Sequence, residues 1–589
     1  MADGRIGEVD TGKRYYQYRC WRMCPLVDFF PWMCQMTGAH GTRAGRGKYW
    51  SSKREGMYCQ LLRKVRMSKK KILLINPSFP DSLWGFTRIH SLVGIQYGFL
   101  PLALPTLAAL TPEQFELQLI DECVEPIDFD TPCDVVALTA FNVQSHRAFA
   151  ILQAFKARGR VTALGGPFAT SSPEVCRPHT DILFLGEGEA IWPEFLQDFA
   201  HGHFKNHYMA REKADLTQAP IPRFELLNLP AYGSGCIQTS RGCPFACEFC
   251  DIIMMDGRKM RLKPLENVLT EVEVLRQHGV NSIFFTDANF IGNRRRAKEL
   301  LFSLAEYGKK TDYAINFSTE VSLDVAEDDE LLALFQQANF TLLYIGIESP
   351  NVESLQETKK NQNLRFPILE QIHKVQSYGM IVWAGMIVGF DHDTTKIFVL
   401  QEDFFKSSRI PITSLGPLVA LPTTPLFTRM QQEGRLLAEA NLHTVTDKNL
   451  PVLHNNGGFT NFRPKHMTIN ELFTGYRWLM RKLYSYPEFS KRLQDLLDNM
   501  GPSGYESKTF SPTFKEIQTL FKIMCHFTFT KNTYKRQAFW SLLCHFIRSR
   551  PTILYALFSQ FVMHAHIYAM VSDNYGPPEE ALRDSPFHD

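Results

Sequence analysis

The segment 240–251 reads SRGCPFACEFCD and places Cys243, Cys247 and Cys250 in a CxxxCxxC arrangement. Thiolates are the protein ligands of iron–sulfur clusters, and a cubic [4Fe-4S] cluster has four irons, so three cysteines on one loop leave one iron without a protein ligand. Zinc and three structural thiols are the competing readings. Structural zinc takes four ligands, yet no histidine occurs between Cys250 and His278, and Cys236 falls on the strand expected ahead of the loop. An iron with a vacant position can bind the amino and carboxylate groups of S-adenosylmethionine. The sulfonium is then set where an electron from the cluster can cleave it.

Such a loop needs a scaffold. Across residues 221–437, apolar runs alternate with helical stretches: 236–240, 282–287, 314–320, 342–348, 381–389 and 412–418. Six βα units predict a partial barrel, open on one side, whose strand ends present the site. Residues 67–205 show five earlier runs, 71–76, 117–121, 134–140, 161–166 and 181–186, with an amphipathic helix over 145–158. That pattern predicts a doubly wound parallel sheet. Two of its strands end in LGGP (164–167) and LGEGE (185–189). Glycine lets backbone approach a ligand at the carboxyl end of a parallel strand, although a plain tight turn explains each sequence equally well. Residues 441–589 lose strand character and become helical, aromatic and basic. They read first as a cap on the barrel; a surface helix in a membrane interface fits the same pattern.

With 589 residues, 44% hydrophobic and 21% charged, the chain predicts two or three globular domains. A net charge of +3 gives no global sign of nucleic-acid binding. The 13 cysteines form no secreted disulfide framework, which fits a reducing cytoplasm. No unbroken apolar run of roughly 18 residues suggests a membrane span. Residues 1–66 carry no periodicity and are expected to be a disordered or mispredicted extension before a true start at Met67. A metal site from Cys20, Cys24, Cys34 and Cys59 is the alternative there, without the paired spacing of strong zinc sites.

The cysteine triad, with Phe249 before its last member, resembles the radical S-adenosylmethionine signature. The likeness continues through TDANFIGN (286–293), STE (318–320), GIESP (346–350), GMIVGF (385–390) and LPTTPL (421–426). With FLPLALPTLAAL (99–110), LGGP, LGEGE and YKRQAFW (534–540) in this order, the chain from Met67 onward is similar to the cobalamin-dependent, class B radical S-adenosylmethionine methylases, in the pattern of hopanoid C-2 methylase-like proteins. The resemblance implies an α/β chain: an N-terminal doubly wound (Rossmann-like) cobalamin-binding domain at 67–205, a central partial (β/α)6 radical SAM barrel at 221–437 and a mostly helical region at 441–589.

It implies cluster ligation by Cys243, Cys247 and Cys250. Phe249 would lie near the adenine of S-adenosylmethionine, Asp287 and Asn289 near its amino group, and Ser318 and Glu320 near its ribose or carboxylate. Glu348 is a further candidate or a structural cap. For cobalamin, Thr139 would lie beneath the corrin, with Gly165, Gly166, Gly186, Glu187, Gly188 and Glu189 around the nucleotide tail. His90, with Gly94 behind it, does not complete a DxHxxG motif, so cobalt is expected without a histidine ligand.

The activity implied is methylation of an unactivated carbon in a lipid, tetrapyrrole or other natural product. The electrons would come from a reductant such as flavodoxin or ferredoxin, in the cytoplasm or at the periphery of the inner membrane. A radical cyclase or rearrangement enzyme without methyl transfer, and a non-catalytic iron–sulfur or cobalamin binding protein, are the alternatives.

Overall fold

The computed structural model describes residues 69–437, 459–502, 514–582 and 586. The expectations for residues 1–66, with Cys20, Cys24, Cys34 and Cys59, lie outside the described residues.

The first strand, β1 (Lys71–Asn76), is buried at every position after its lysine, as a parallel strand covered on both faces must be. It is followed by β2 (Tyr97–Phe99), β3 (Glu116–Asp121), β4 (Val135–Thr139), β5 (Val161–Gly165), β6 (Ile182–Leu185) and β7 (His207–Met209). All but β2 form one parallel sheet in the order β3-β1-β4-β5-β6-β7. Alternate residues fill separate cores on its two faces. Ile72 and Leu74 point into the large core, while Leu73 and Ile75 meet Phe149, Leu152 and Phe155 of the helix Ser145–Lys156. Strand order reverses direction between β1 and β4, so their carboxyl ends flank the crevice in which such sheets bind ligands.

Seven strands build the central sheet, one more than the sequence pattern predicts. In order they are β15-β14-β13-β12-β11-β8-β2, where β8 is Tyr232–Ile237, β11 Ser282–Phe285, β12 Asn316–Val321, β13 Phe340–Glu348, β14 Ile381–Val388 and β15 Thr413–Pro417. Two short strands, β9 (Ser240–Arg241) and β10 (Arg261–Leu262), pair antiparallel above it. The added strand, β2, comes from the chain ahead of the barrel and pairs Tyr97 with Tyr232 and Phe99 with Ser234. Its centre must be Gly98, because a Cβ there would lie 2.4 Å from the Trp84 carbonyl oxygen. Neighbouring Trp84 packs its indole 5.5 Å from the Tyr344 ring and 6.3 Å from that of Trp383.

The tail comprises the helices Ile469–Tyr484, Tyr486–Asn499, Phe514–Thr528, Thr533–Ser549 and Leu554–Tyr575. A capping box between Thr468 and Glu471 starts the first of them. The segment Pro551–Tyr575 is long and apolar enough to cross a bilayer, with 56% of its apolar window buried inside the protein. It carries no unbroken apolar run, because Ser559, Gln560, His564 and His566 interrupt it. Both imidazoles are buried; His564 Nε2 lies 2.9 Å from the Tyr484 carbonyl oxygen and His566 Nε2 2.9 Å from that of Ser82. With Trp383 Nε1 donating to Gln560 at 3.1 Å, the last helix is tied to both the barrel and the segment before it.

Candidate functional site

The cysteine loop leaves β9 and returns through β10, and a carboxylate fixes its approach. Asp287, directly after β11, is fully buried and accepts hydrogen bonds from the backbone N–H of Thr239 (2.7 Å) and of Ser240 (2.9 Å) and from the Thr239 hydroxyl. Burial raises its pKa while those donors pull it down. Its carboxylate is therefore engaged by the loop. Gly242 takes φ +104°, and a Cβ on it would lie 2.6 Å from the Lys259 carbonyl oxygen. Cys243 N–H then donates to the Gly257 carbonyl at 3.1 Å.

Midway along the loop, Glu248 gives its N–H to Thr358 O at 3.0 Å, and its carbonyl accepts from Leu426 N–H at 3.1 Å. Its carboxylate is gripped by both Arg429 Nε (2.7 Å) and Nη2 (3.0 Å), a bidentate geometry that fixes orientation as well as distance. Arg429 also pairs with Asp391, which Arg435 holds at 2.6 Å. Phe249 packs 6.2 Å from Phe390, beside Ile387, Leu418 and Leu426. The motifs around 385–390 and 421–426 thus meet the loop as its packing partners.

Cys247 is buried, and Cys243 and Cys250 are half-buried. Burial pushes the thiol of Cys243 up and that of Cys250 up to about 12. Asn289 hydrogen-bonds at Cys243 and also brackets Ser322, donating to its hydroxyl at 3.0 Å and accepting from its N–H at 3.3 Å. Gln362 Nε2 points at Cys247 Sγ from 3.6 Å.

Beside these sulfurs lies Lys360, a buried ammonium that donates to Glu348 Oε1 at 2.7 Å. Burial works against its charge, but Glu348, with the sulfurs of Cys247 and Cys250, outweighs it and raises its pKa. A Cβ on Gly346 would lie 2.5 Å from Glu348 Oε1 and 3.0 Å from Lys360 Nζ, so that glycine leaves room for the pair. Glu348 itself sits at φ +68° where the β13–β14 register shifts. In the sequence Lys360 was indistinguishable from a solvated residue of the run TKKN; only its position behind GIESP could have drawn attention to it. On β12, Ser318 and Glu320 are half-buried, in register with Leu342 and Tyr344. Burial, then the carboxylates of Asp287 and Glu348, pushes Glu320 up to about 7.

In the N-terminal sheet the LGEGE carboxylates have a structural use that the sequence reading did not foresee. Glu187 accepts from Arg261 Nη2 at 2.6 Å, Arg241 Nη1 at 3.2 Å and Ala214 N–H at 2.7 Å, and Glu189 pairs with Arg241. These side chains, expected around a nucleotide tail, join the end of β6 to the arginine two residues before Cys243. The nearby glycines also meet protein atoms. A Cβ on Gly166 (φ +90°) would lie 2.4 Å from Thr139 Oγ1, and on Gly186 (φ +94°) 2.9 Å from Ala210 Cβ. Added Cβ atoms would stand 3.2 Å from Phe184 Cβ at Gly165 and 2.9 Å from Leu107 Cδ2 at Gly188. What faces outward is the end of β4, where Phe141 is exposed and the buried Asn142 Oδ1 has no hydrogen-bond partner among the described residues.

Residues 237–398 match the model of the radical SAM superfamily, and residues 424–575 match a domain of unknown function, DUF4070. The chain is 39% identical over 383 residues to an uncharacterized methyltransferase of Synechocystis sp., covering 64% of this chain and 71% of that one. It is 33% identical over 392 residues to the hopanoid C-2 methylase of Rhodopseudomonas palustris, covering 65% of this chain and 74% of the relative. Its fold is similar to that of OxsB, a cobalamin-dependent S-adenosylmethionine radical enzyme solved with aqua-cobalamin and S-adenosylmethionine bound; the TM-score is 0.55 at 16% identity, over 90% of this chain and 83% of that one. Joined to a cysteine loop held at the mouth of a parallel barrel, these similarities show that the chain belongs to the class B radical S-adenosylmethionine methylase family that contains the hopanoid C-2 methylase.

Proposed function

We propose that this protein methylates an unactivated carbon of a lipid, tetrapyrrole or other natural product, using a [4Fe-4S] cluster, S-adenosylmethionine and cobalamin. The observation that carries the reading is the set of three thiols on one loop, pinned by Asp287 on one side and Arg429 on the other. The donor set fits a multi-iron cluster, since soft thiolates suit iron–sulfur centres.

When bound, the reduced cluster would supply the electron that cleaves S-adenosylmethionine, and methylcobalamin the methyl group. The chain's own part is positioning. Cys243, Cys247 and Cys250 would hold the cluster, Lys360 would offset the negative charge of the thiolates, and Asn289 and Glu348 would lie beside the bound S-adenosylmethionine. Ser318 and Glu320 would meet the ribose or carboxylate of S-adenosylmethionine, and Phe249 would lie near its adenine. Thr139, together with Phe141 and the Asn142 oxygen, would face the cobalamin, and Gly165, Gly166, Gly186 and Gly188 would border its nucleotide tail with backbone, because Glu187 and Glu189 are engaged by arginines. The relative named for hopanoid methylation supports a lipid among the substrate classes. A cytoplasmic setting with a flavodoxin or ferredoxin as electron donor completes the reading.

Anaerobic reconstitution with iron, sulfide and cobalamin tests it. The loaded enzyme should form both 5′-deoxyadenosine and S-adenosylhomocysteine with substrate, and Cys250→Ala should form neither. The first product without the second would overturn methyl transfer in favour of a cyclisation or rearrangement. Absence of both from fully loaded enzyme would remove the radical chemistry altogether.

A further inference from the structure

The helix Phe514–Thr528 is apolar on two faces. Ile523 and Phe527 turn inward, and the Phe527 ring stacks on Phe539 at 4.6 Å. Phe514, Ile517 and Phe521 are spaced three and four residues apart, so they form one stripe. That stripe faces outward, with the three side chains 75%, 49% and 68% exposed, and Phe529 just past the helix end is 83% exposed. A cluster of bare large apolar groups marks a surface that meets something other than water.

The surrounding charge narrows what that is. Glu516, in the first turn of the helix, is the last acid before Asp573, and the chain between them carries Lys522, Lys531, Lys535, Arg536, Arg548 and Arg550. Lys522, Lys531, Arg536 and Arg548 are exposed, and none of these four has an ion-pair partner among the described residues. A second copy of the chain docking here would set like charge against like. An anionic bilayer presents the opposite charge above an apolar layer, which matches both features.

We propose that this face docks on an anionic membrane surface. Phe514, Ile517, Phe521 and Phe529 enter the boundary between headgroups and acyl chains, and Lys522, Lys531 and Arg536 meet lipid phosphates. The helix Leu554–Tyr575 does not take this part, because Leu557, Phe561 and Ile567 are buried against the rest of the protein. Docking is independent of the barrel's chemistry; only its use in presenting a lipid substrate rests on the proposed methylation.

Flotation of the full-length, reconstituted protein with phosphatidylcholine vesicles, with and without phosphatidylglycerol, tests the proposal. Binding is expected only with phosphatidylglycerol, and added salt should weaken it. The double variants Phe521→Ser/Phe529→Ser and Lys531→Glu/Arg536→Glu should each lower binding about tenfold or more, with cluster absorbance and 5′-deoxyadenosine formation unchanged. No flotation on anionic vesicles, or undiminished flotation of both variants, would overturn it. So would light scattering that shows a wild-type dimer dispersed by Phe521→Ser/Phe529→Ser while vesicle binding persists. Vesicle binding by an enzyme that forms no 5′-deoxyadenosine would leave the docking surface standing and remove the methylation reading.

Discussion

Lys360 is a charge that the fold buries where charge is costly, and Glu348 with the sulfurs of Cys247 and Cys250 explains why it stays. Removing one partner of a buried ion pair leaves the other without compensation, at a cost of about 3–5 kcal/mol. We predict that Lys360→Met destabilises the cluster-free protein by about 3 kcal/mol in urea unfolding, since Glu348 would remain buried alone. Adding Glu348→Gln should recover most of that loss. In reconstituted protein the same Lys360→Met should move the cluster's midpoint potential to a more negative value, because a cation beside the sulfurs favours the reduced, more negative state. An unchanged potential in a spectroelectrochemical titration would remove Lys360 from the cluster's electrostatics.

Two elements place the cysteine loop, and each is fastened by one side chain. Asp287 ties the end of β11 to the strand-to-loop passage of Thr239 and Ser240. Asp287→Ala should leave buried donors unsatisfied and cost about 3 kcal/mol. Asp287→Asn retains one acceptor oxygen and should recover part of that cost, with iron bound per chain following the same order. Arg429, on the helix Pro425–Gln432, holds Glu248 through two nitrogens. Because a lysine ammonium cannot reproduce a planar fork, Arg429→Lys is predicted to lose cluster nearly as readily as Arg429→Ala on exposure to a chelator. Equal retention by wild type and Arg429→Lys would show that the bidentate contact does not matter.

At the scale of the whole molecule, the last helix joins the tail to Ser82 through the buried imidazole of His566, while that of His564 holds it to Tyr484 within the tail. Burial holds His566 down to about 4, against its hydrogen bond to Ser82, and it also holds His564 well below its usual range. The unfolded chain takes up a proton near pH 6.5, so between pH 6.5 and 4 the unfolded state binds more protons than the folded one. Stability is therefore complete above pH 6.5 and falls as pH drops through this window, by up to about 3 kcal/mol for His566. His566→Gln preserves a donor to Ser82 and should flatten this part of the pH dependence in thermal melts. A variant with the wild-type slope would place the acid sensitivity elsewhere.

The sequence by itself determined the engine and the scaffold. Three cysteines at fixed spacing are local chemistry, and strands such as 71–76 and 381–388 declare themselves because parallel strands buried on both faces need continuous apolar runs. The three-residue strands at 97–99 and 207–209 could not be read, since no periodicity develops over so short a span. Tertiary structure alone decided which charged residues gather around the cysteine loop. Lys360 beside Cys247, Arg429 on Glu248, and Arg241 between Glu187 and Glu189 join residues distant in sequence. Each of these charges reads as an ordinary solvated side chain until folding removes the water around it, and only then does its partner determine what it does.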